Sequence, residues 1–274
     1  MSDNIVALYC ITDDSLKAIG HRDDQRRELT DAEVITTALA SALYFGGNLE
    51  HARSFMKQSG FMPTMLSKSR LCRRLHKVEG LAVSLFHQLG WVFKQANVST
   101  QYLLDSFPVE ICDNIRISRC RLATGESYRG KCAAKRRYFY GVKVRVVTTD
   151  TGLPVEFAFM PGRTSDVRGL DMLAMELPAG SEVFMESGYT DYFAEDAAGE
   201  ADEIRFPVCR KKNSKRRDEP AEASYKTLMR KRVETVFSEI TRLFPKRIHA
   251  VTLKGFLMKV SFFIIAFTLD RAFV

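Results

Sequence analysis

Near residue 100 the spacing of apolar residues changes from every third or fourth position to every second, so one kind of secondary structure cannot serve the whole chain. Residues 14–98 carry the helical period with almost no strand-like alternation, which predicts a small all-helical domain over 1–98. Within it, Thr30 followed three positions later by Glu33 is a capping box. It opens the apolar run 34–43, so a helix is expected over 31–45 and ends at Gly46 and Gly47.

Beyond residue 98 the pattern predicts an α/β domain over 99–274. Residues 102–105 and 109–111 read as strand on either side of a break at Pro108. Residues 138–147 and 155–160 read as a hairpin around the turn at 150–154. A helix over 166–177, a strand over 182–186, a helix over 190–201 and a strand over 204–208 complete a mixed sheet. Residues 210–226 form a charged loop expected to be mobile, and 227–274 supply two terminal helices.

Composition narrows the function classes. With 41 Lys and Arg against 33 Asp and Glu, a net charge of +8 and a pI near 9.2, the chain favours a polyanionic partner. The helix expected after Ser67 carries Arg70, Arg73 and Arg74, as a helix lying in a DNA groove does. A solvated basic face is the alternative reading of the same residues. The six cysteines contain no Cys-x-x-Cys pair, and Cys112, Cys120 and Cys132 lack a fourth zinc ligand, so reduced thiols in a cytoplasmic protein are expected. The N-terminus places acids where an export signal needs basic and apolar residues. The apolar stretch 256–274 is interrupted by Lys259, Asp270 and Arg271, and a buried terminal helix is expected there with no membrane contact.

Three carboxylates stand out by placement. Asp105 ends the apolar run 102–104, and Glu186 ends the run 183–185 just before Gly188, so both fall at strand ends where ligands bind. Turn or capping roles are the plainer reading of each. On the helix that follows, Glu234 lies about 100° from the apolar stripe centred on Val233, Ile240 and Phe244, at the border of the core. A solvated pair of Arg230 with Glu234 at i, i+4 is the alternative there. Three acids brought together suit phosphodiester chemistry, because carboxylates hold the hard cations that activate a nucleophile and stabilise the leaving oxygen.

Several segments in order carry a resemblance: 104–109 around Asp105, 140–143, 161–166 ending in Asp166, 186–192 beginning Glu186-Ser-Gly-Tyr189, and 232–237 around Glu234. Together they resemble bacterial DDE transposases of the insertion sequence 982 family over nearly the whole chain. The resemblance implies an RNase H-like mixed-sheet catalytic domain behind the N-terminal all-helical, DNA-binding domain. It also implies catalysis by Asp105, Glu186 and Glu234 with two Mg2+ ions, or Mn2+, per site. The implied partners are double-stranded DNA, as terminal inverted repeats and as target, with a homodimer on paired ends and a cytoplasmic, nucleoid-associated location. Phosphate contacts are implied for Arg230, Arg232, Lys135, Arg136, Lys143 and the cluster Arg210, Lys211, Lys212, Lys215, Arg216 and Arg217.

The family pattern carries Asp where this chain has Glu186, and the extra methylene moves the carboxylate by roughly 1 Å, a displacement that can slow catalysis about a hundredfold. Asp191, five residues on, is a possible substitute ligand past the turn. Besides an active transposase, the residues leave open a nuclease of the same fold and an impaired copy that still binds DNA. An RNA-binding regulator is disfavoured by the lack of an aromatic stacking motif.

Overall fold

The computed structural model describes residues 1–132, 136–168, 170, 175–201 and 203–273, and these divide into two compact units. The first combines residues 1–88 with 242–274 and is helical; the second spans 89–241 and contains the sheet.

The helical unit holds α1 (Ser2–Ala18), α2 (Asp31–Tyr44), α3 (Leu49–Gln58), the larger part of α4 (Lys68–Ala96) and α7 (Leu253–Phe273). The start of α2 is the expected capping box: the Glu33 amide donates to Thr30 Oγ1 at 3.0 Å, and the Thr30 amide donates to Glu33 Oε2 at 2.6 Å. Asn48 caps α3 with its side-chain oxygen alone, accepting the Glu50 and His51 amides at 3.1 and 3.2 Å. Between α2 and α3, Gly47 takes φ +78°, and a Cβ there would lie 2.8 Å from the Phe263 ring, so the bend requires glycine.

The sequence-based boundary at 98/99 assigned 227–274 to the sheet domain, whereas α7 belongs to the helical unit. Its composition explains the difference. α7 is buried on nearly every face from Gly255 to Leu269, so it requires helices all round it, as the centre of a bundle provides. Among the described residues no helix is long and apolar enough to cross a membrane.

The second unit is built on β1 (Gln101–Cys112), β2 (Arg129–Cys132), β3 (Arg137–Thr149), β4 (Pro154–Pro161) and β5 (Glu182–Met185), with α5 (Tyr192–Ala201) and α6 (Pro220–Arg242). The sheet is mixed, in the order β2-β3-β1-β5, with β4 also pairing β3. β1 runs unbroken through Pro108, contrary to the expected interruption. Its pairing with β5 stops at Leu104, leaving the far side of β1 open beyond that point, where a residue without an N–H is tolerated. The 138–160 hairpin forms as expected, closed through Gly152 at φ +88°. Residues 204–208 add only isolated bridges, Glu182 with Arg205 and Met185 with Val208.

The core between sheet and covering segments contains Tyr102, Leu104, Val147, Val183, Met185 and Val208. A buried ion pair, Lys94 with Glu156, ties the last turns of α4 to β4. Of the helix expected over 166–177, residues 166–168 form turns, and 169 and 171–174 lie outside the described residues. The expected mobile loop over 210–226 is shorter than composition suggests, because α6 already begins at Pro220. Lys226 is buried there between Asp218, at 2.7 Å, and Glu222, at 3.0 Å.

Candidate active site

Strand register explains why two of the three acids meet. β1 and β5 are parallel, with Leu104 opposite Met185, so the next residue on each chain, Asp105 and Glu186, emerges side by side where the pairing ends. The third arrives by packing. Alternation puts Phe107 on the same face of β1 as Asp105, and its ring meets Phe237 of α6 edge-on at 6.0 Å. Phe237 lies one helical turn beyond Glu234, so the contact that seats α6 on the sheet also carries Glu234 toward the strand ends.

Arg230 joins the acids. Its Nε lies 3.1 Å from Glu186 Oε1 and 3.2 Å from Glu234 Oε1. Both oxygens touch one nitrogen and so lie within about 6 Å of each other, a gap that hard cations bridge in two-metal sites. The pair of Arg230 with Glu234 read from the i, i+4 spacing is present, and Glu186 enters it as a third member. Asp105 accepts its following amide, that of Ser106, at 2.7 Å. Although the side chain keeps partial access to solvent, its pKa is raised to about 7, chiefly by the packed protein around it and in lesser part by the charges of Glu186 and Asp166, with the Ser106 amide and Arg145 opposing the rise.

Asp166 and Arg145 belong to this site, and neither was a candidate from sequence. Asp166 Oδ1 accepts from Ser106 Oγ at 3.1 Å and Lys143 Nζ at 3.0 Å, and Oδ2 lies against Gly188 in the turn after Glu186. Arg145, opposite Ser106 on β3, is fully buried, donates to the Asp166 backbone carbonyl and lies 5.1 Å over the Tyr189 ring. Among the described residues its Nε and Nη1 have no hydrogen-bond partner. The only sequence signal for either was the position of Asp166 at the end of the 161–166 motif. Arg145 reads as an outward residue of an alternating strand, and only the fold shows that this face of β3 is covered.

The arrangement fits a divalent cation. Asp105 is driven toward protonation by its surroundings and its acidic neighbours, and Glu186 and Glu234 already share a positive group in Arg230. The three acids do not form a closed cage. Among the described residues, the set of potential ligand atoms that all fall within 4.8 Å of one another is His21, Asp23 and Asp31 in the helical unit, where Arg74 and Arg27 already supply positive charge. Cys112, Cys120 and Cys132 form no such set, and all six cysteines are free. Asp191 serves as a cap for α5, accepting the Phe193 and Ala194 amides at 3.1 and 3.3 Å.

The basic residues singled out from sequence occupy varied settings. In the helical unit Arg70 pairs with Glu28 at 2.7 Å, Arg74 with Asp31, and Arg73 donates to the Ser69 carbonyl, all along a cleft of about 570 Å3 that Arg26, Arg27 and Lys77 also line. In the sheet unit Lys143 is committed to Asp166, and Arg232 lies 3.8 Å from Asp150. Arg210 is paired with Glu195 and Arg216 with Asp196, and both guanidinium groups lie over Tyr192. Lys211, Lys212, Lys215 and Arg217 are exposed, as is Arg136; Lys135 lies outside the described residues.

No curated protein and no solved structure matches the chain. The sequence does match the family described as Transposase DDE domain over residues 95–248, more than half its length and nearly the same span as the sheet unit. The chain belongs to the DDE-domain transposases.

Proposed function

We propose that the protein binds the terminal inverted repeats of an insertion sequence and catalyses metal-dependent DNA cleavage and strand transfer, with Asp105, Glu186 and Glu234 as its metal-binding carboxylates. The observation that carries this reading is Arg230: one guanidinium spans Glu186 and Glu234, while Asp105 feels the charge of Glu186. Acids from β1, from the end of β5 and from α6 therefore share a setting in which positive charge is favoured. An RNase H-like arrangement of the sheet unit and kinship with the insertion sequence 982 family belong to the same reading, as do a homodimer on paired ends and a place on the nucleoid.

Two Mg2+ ions, or Mn2+, held by these acids would activate a water or a 3′-hydroxyl and stabilise the leaving oxygen. The protein's own groups prepare the site. Asp105 must release its proton to become a ligand. Arg230, freed from Glu186 and Glu234, is placed to meet a phosphate. Ser106 and Lys143 fix Asp166 beside Asp105, and Arg145 supplies positive charge from within the core. DNA entering this site meets Arg230 and Arg232 on α6.

One observation favours a second reading, an impaired copy that retains DNA binding: Glu186 stands where the family pattern has Asp, and its carboxylate is held by Arg230. A labelled duplex ending in the element's own terminal repeats, incubated with the protein and Mg2+, separates the possibilities. The proposal expects metal-dependent nicking followed by joined product. Nicking without joining would mean a nuclease. Binding without cleavage, unchanged by Glu186→Asp, would mean an impaired remnant.

A further inference from the structure

Two short segments of the sheet unit are strongly basic, 210–217 and the excursion between β1 and β3. Between β1 and β3, residues 113–137 contain eight Lys and Arg and only two acids, Asp113 and Glu126, a net +6 within a chain whose total is +8. Arg129 is 3.6 Å from Glu126, and Arg137 pairs with Glu110. Arg116, Arg119, Arg121, Lys131 and Arg136 are exposed, and among the described residues none has a carboxylate within ion-pairing distance. The 210–217 cluster differs, since Arg210 and Arg216 are already neutralised there by Glu195 and Asp196.

The described part of the excursion, 113–132 and 136–137, is also held firmly. The Tyr140 hydroxyl donates toward the carbonyls of Ala123 and Gly125 at 3.2 and 3.1 Å, Asn114 Nδ2 donates to the Tyr138 carbonyl at 2.9 Å, and the Arg163 amide donates to the Ser127 carbonyl at 2.9 Å. β2 closes on β3, and neither Gly130 nor Gly162 has room for a side chain: a Cβ on the first would meet the Gly162 carbonyl and Phe139, and on the second the Tyr128 and Gly141 carbonyls and Phe139. Cations fixed on a rigid support lose little freedom when they bind, which strengthens each contact.

We propose that this arm is a docking surface for the phosphate backbone of duplex DNA, with Arg116, Arg119 and Arg121 as its principal contacts. The proposal rests on the reading of the chain as a DNA transposase and adds a surface to it. β1 leads from Asp105 to the arm, and seven residues of strand span about 24 Å. On DNA with a helical repeat of about 34–36 Å, that separation corresponds to roughly seven base pairs. The arm therefore grips the duplex about two-thirds of a turn from the bond to be cut.

The test is duplex binding by the full-length protein, followed by fluorescence anisotropy across a salt series. The variant Arg116→Gln/Arg119→Gln/Arg121→Gln is compared with Lys211→Gln/Lys212→Gln/Arg217→Gln and with the unaltered chain. Each phosphate contact adds about 0.9 to the slope of log affinity against log salt, so losing three flattens it by roughly 2–3. The arm variant is expected to show that loss with its circular dichroism unchanged, and the 211–217 variant a smaller one. An arm variant with unaltered affinity and slope, while the unaltered chain binds duplex tightly, overturns the proposal and leaves the transposase reading intact. Absence of salt-dependent duplex binding by the unaltered chain would overturn both.

Discussion

Asn in place of Asp105 is expected to stabilise the metal-free protein, and only above a certain pH. The reasoning follows from the raised pKa. In the unfolded chain Asp105 ionises near 3.8, whereas in the fold it does so at about 7. Between those values the folded state holds a proton that the unfolded state has lost, so stability falls as pH rises through this window and levels off above about pH 7. Three units correspond to an upper bound of about 4 kcal/mol, and solvent access to the Asp105 side chain lowers it, so about 2 kcal/mol is a reasonable expectation. In a unit of this size a kilocalorie moves the midpoint by about 2–4 °C. Thermal unfolding in chelator should place the Asp105→Asn midpoint about 4–8 °C above that of the unaltered chain at pH 8 and no higher at pH 4. Divalent cation at pH 8 should then raise the unaltered chain's midpoint and leave the variant's unmoved. A variant less stable at both pH values by the same amount would show that Asp105 is a structural residue whose charge the fold supports, and the argument from its raised pKa would fail.

Other expectations concern the neighbours of Asp105. Arg230→Gln frees Glu186 and Glu234 from their shared guanidinium, so Mn2+ affinity by calorimetry should rise while duplex affinity falls; weaker Mn2+ binding would show that Arg230 supports the acids instead of standing in for a cation. Glu186→Asp restores the shorter acid, and single-turnover cleavage should accelerate by about 10- to 100-fold, with no change if the present geometry has adapted to Glu. Lys94→Met leaves Glu156 charged and buried, which destabilises by about 3–5 kcal/mol in denaturant unfolding, and the double change Lys94→Met/Glu156→Leu should recover most of that loss.

Local rules made much of this fold legible. The Thr30–Glu33 capping box, the β3–β4 hairpin and the placement of Glu186 at the end of β5 follow from residue types at short spacing. Asp105, expected to end a strand, instead lies within β1, and only its pairing with β5 ends beside it. What local rules left out depends on packing between distant segments. The all-apolar face of α7 announces burial without saying which unit it is buried in. Pro108 looks like a strand break until the neighbouring strand is seen to end before it. Arg145 has the sequence signature of a solvent-facing residue and becomes the largest fully buried side chain, because the segment around Asp166 covers that part of the sheet. The 210–217 cluster stands out in the sequence as part of a charged loop; ion pairs with Glu195 and Asp196 of α5 divert part of its charge and leave the 113–137 arm as the more available surface.

The central claim is that Asp105, Glu186 and Glu234 act as one cation-binding unit, and counting bound Mn2+ by electron paramagnetic resonance at pH 8 tests it most directly. The unaltered chain should bind two ions per site, as two-metal phosphodiester chemistry requires. Asp105→Asn and Glu234→Gln should each lower that occupancy, although the two residues lie on different elements. Unchanged Mn2+ binding in both variants would contradict the account.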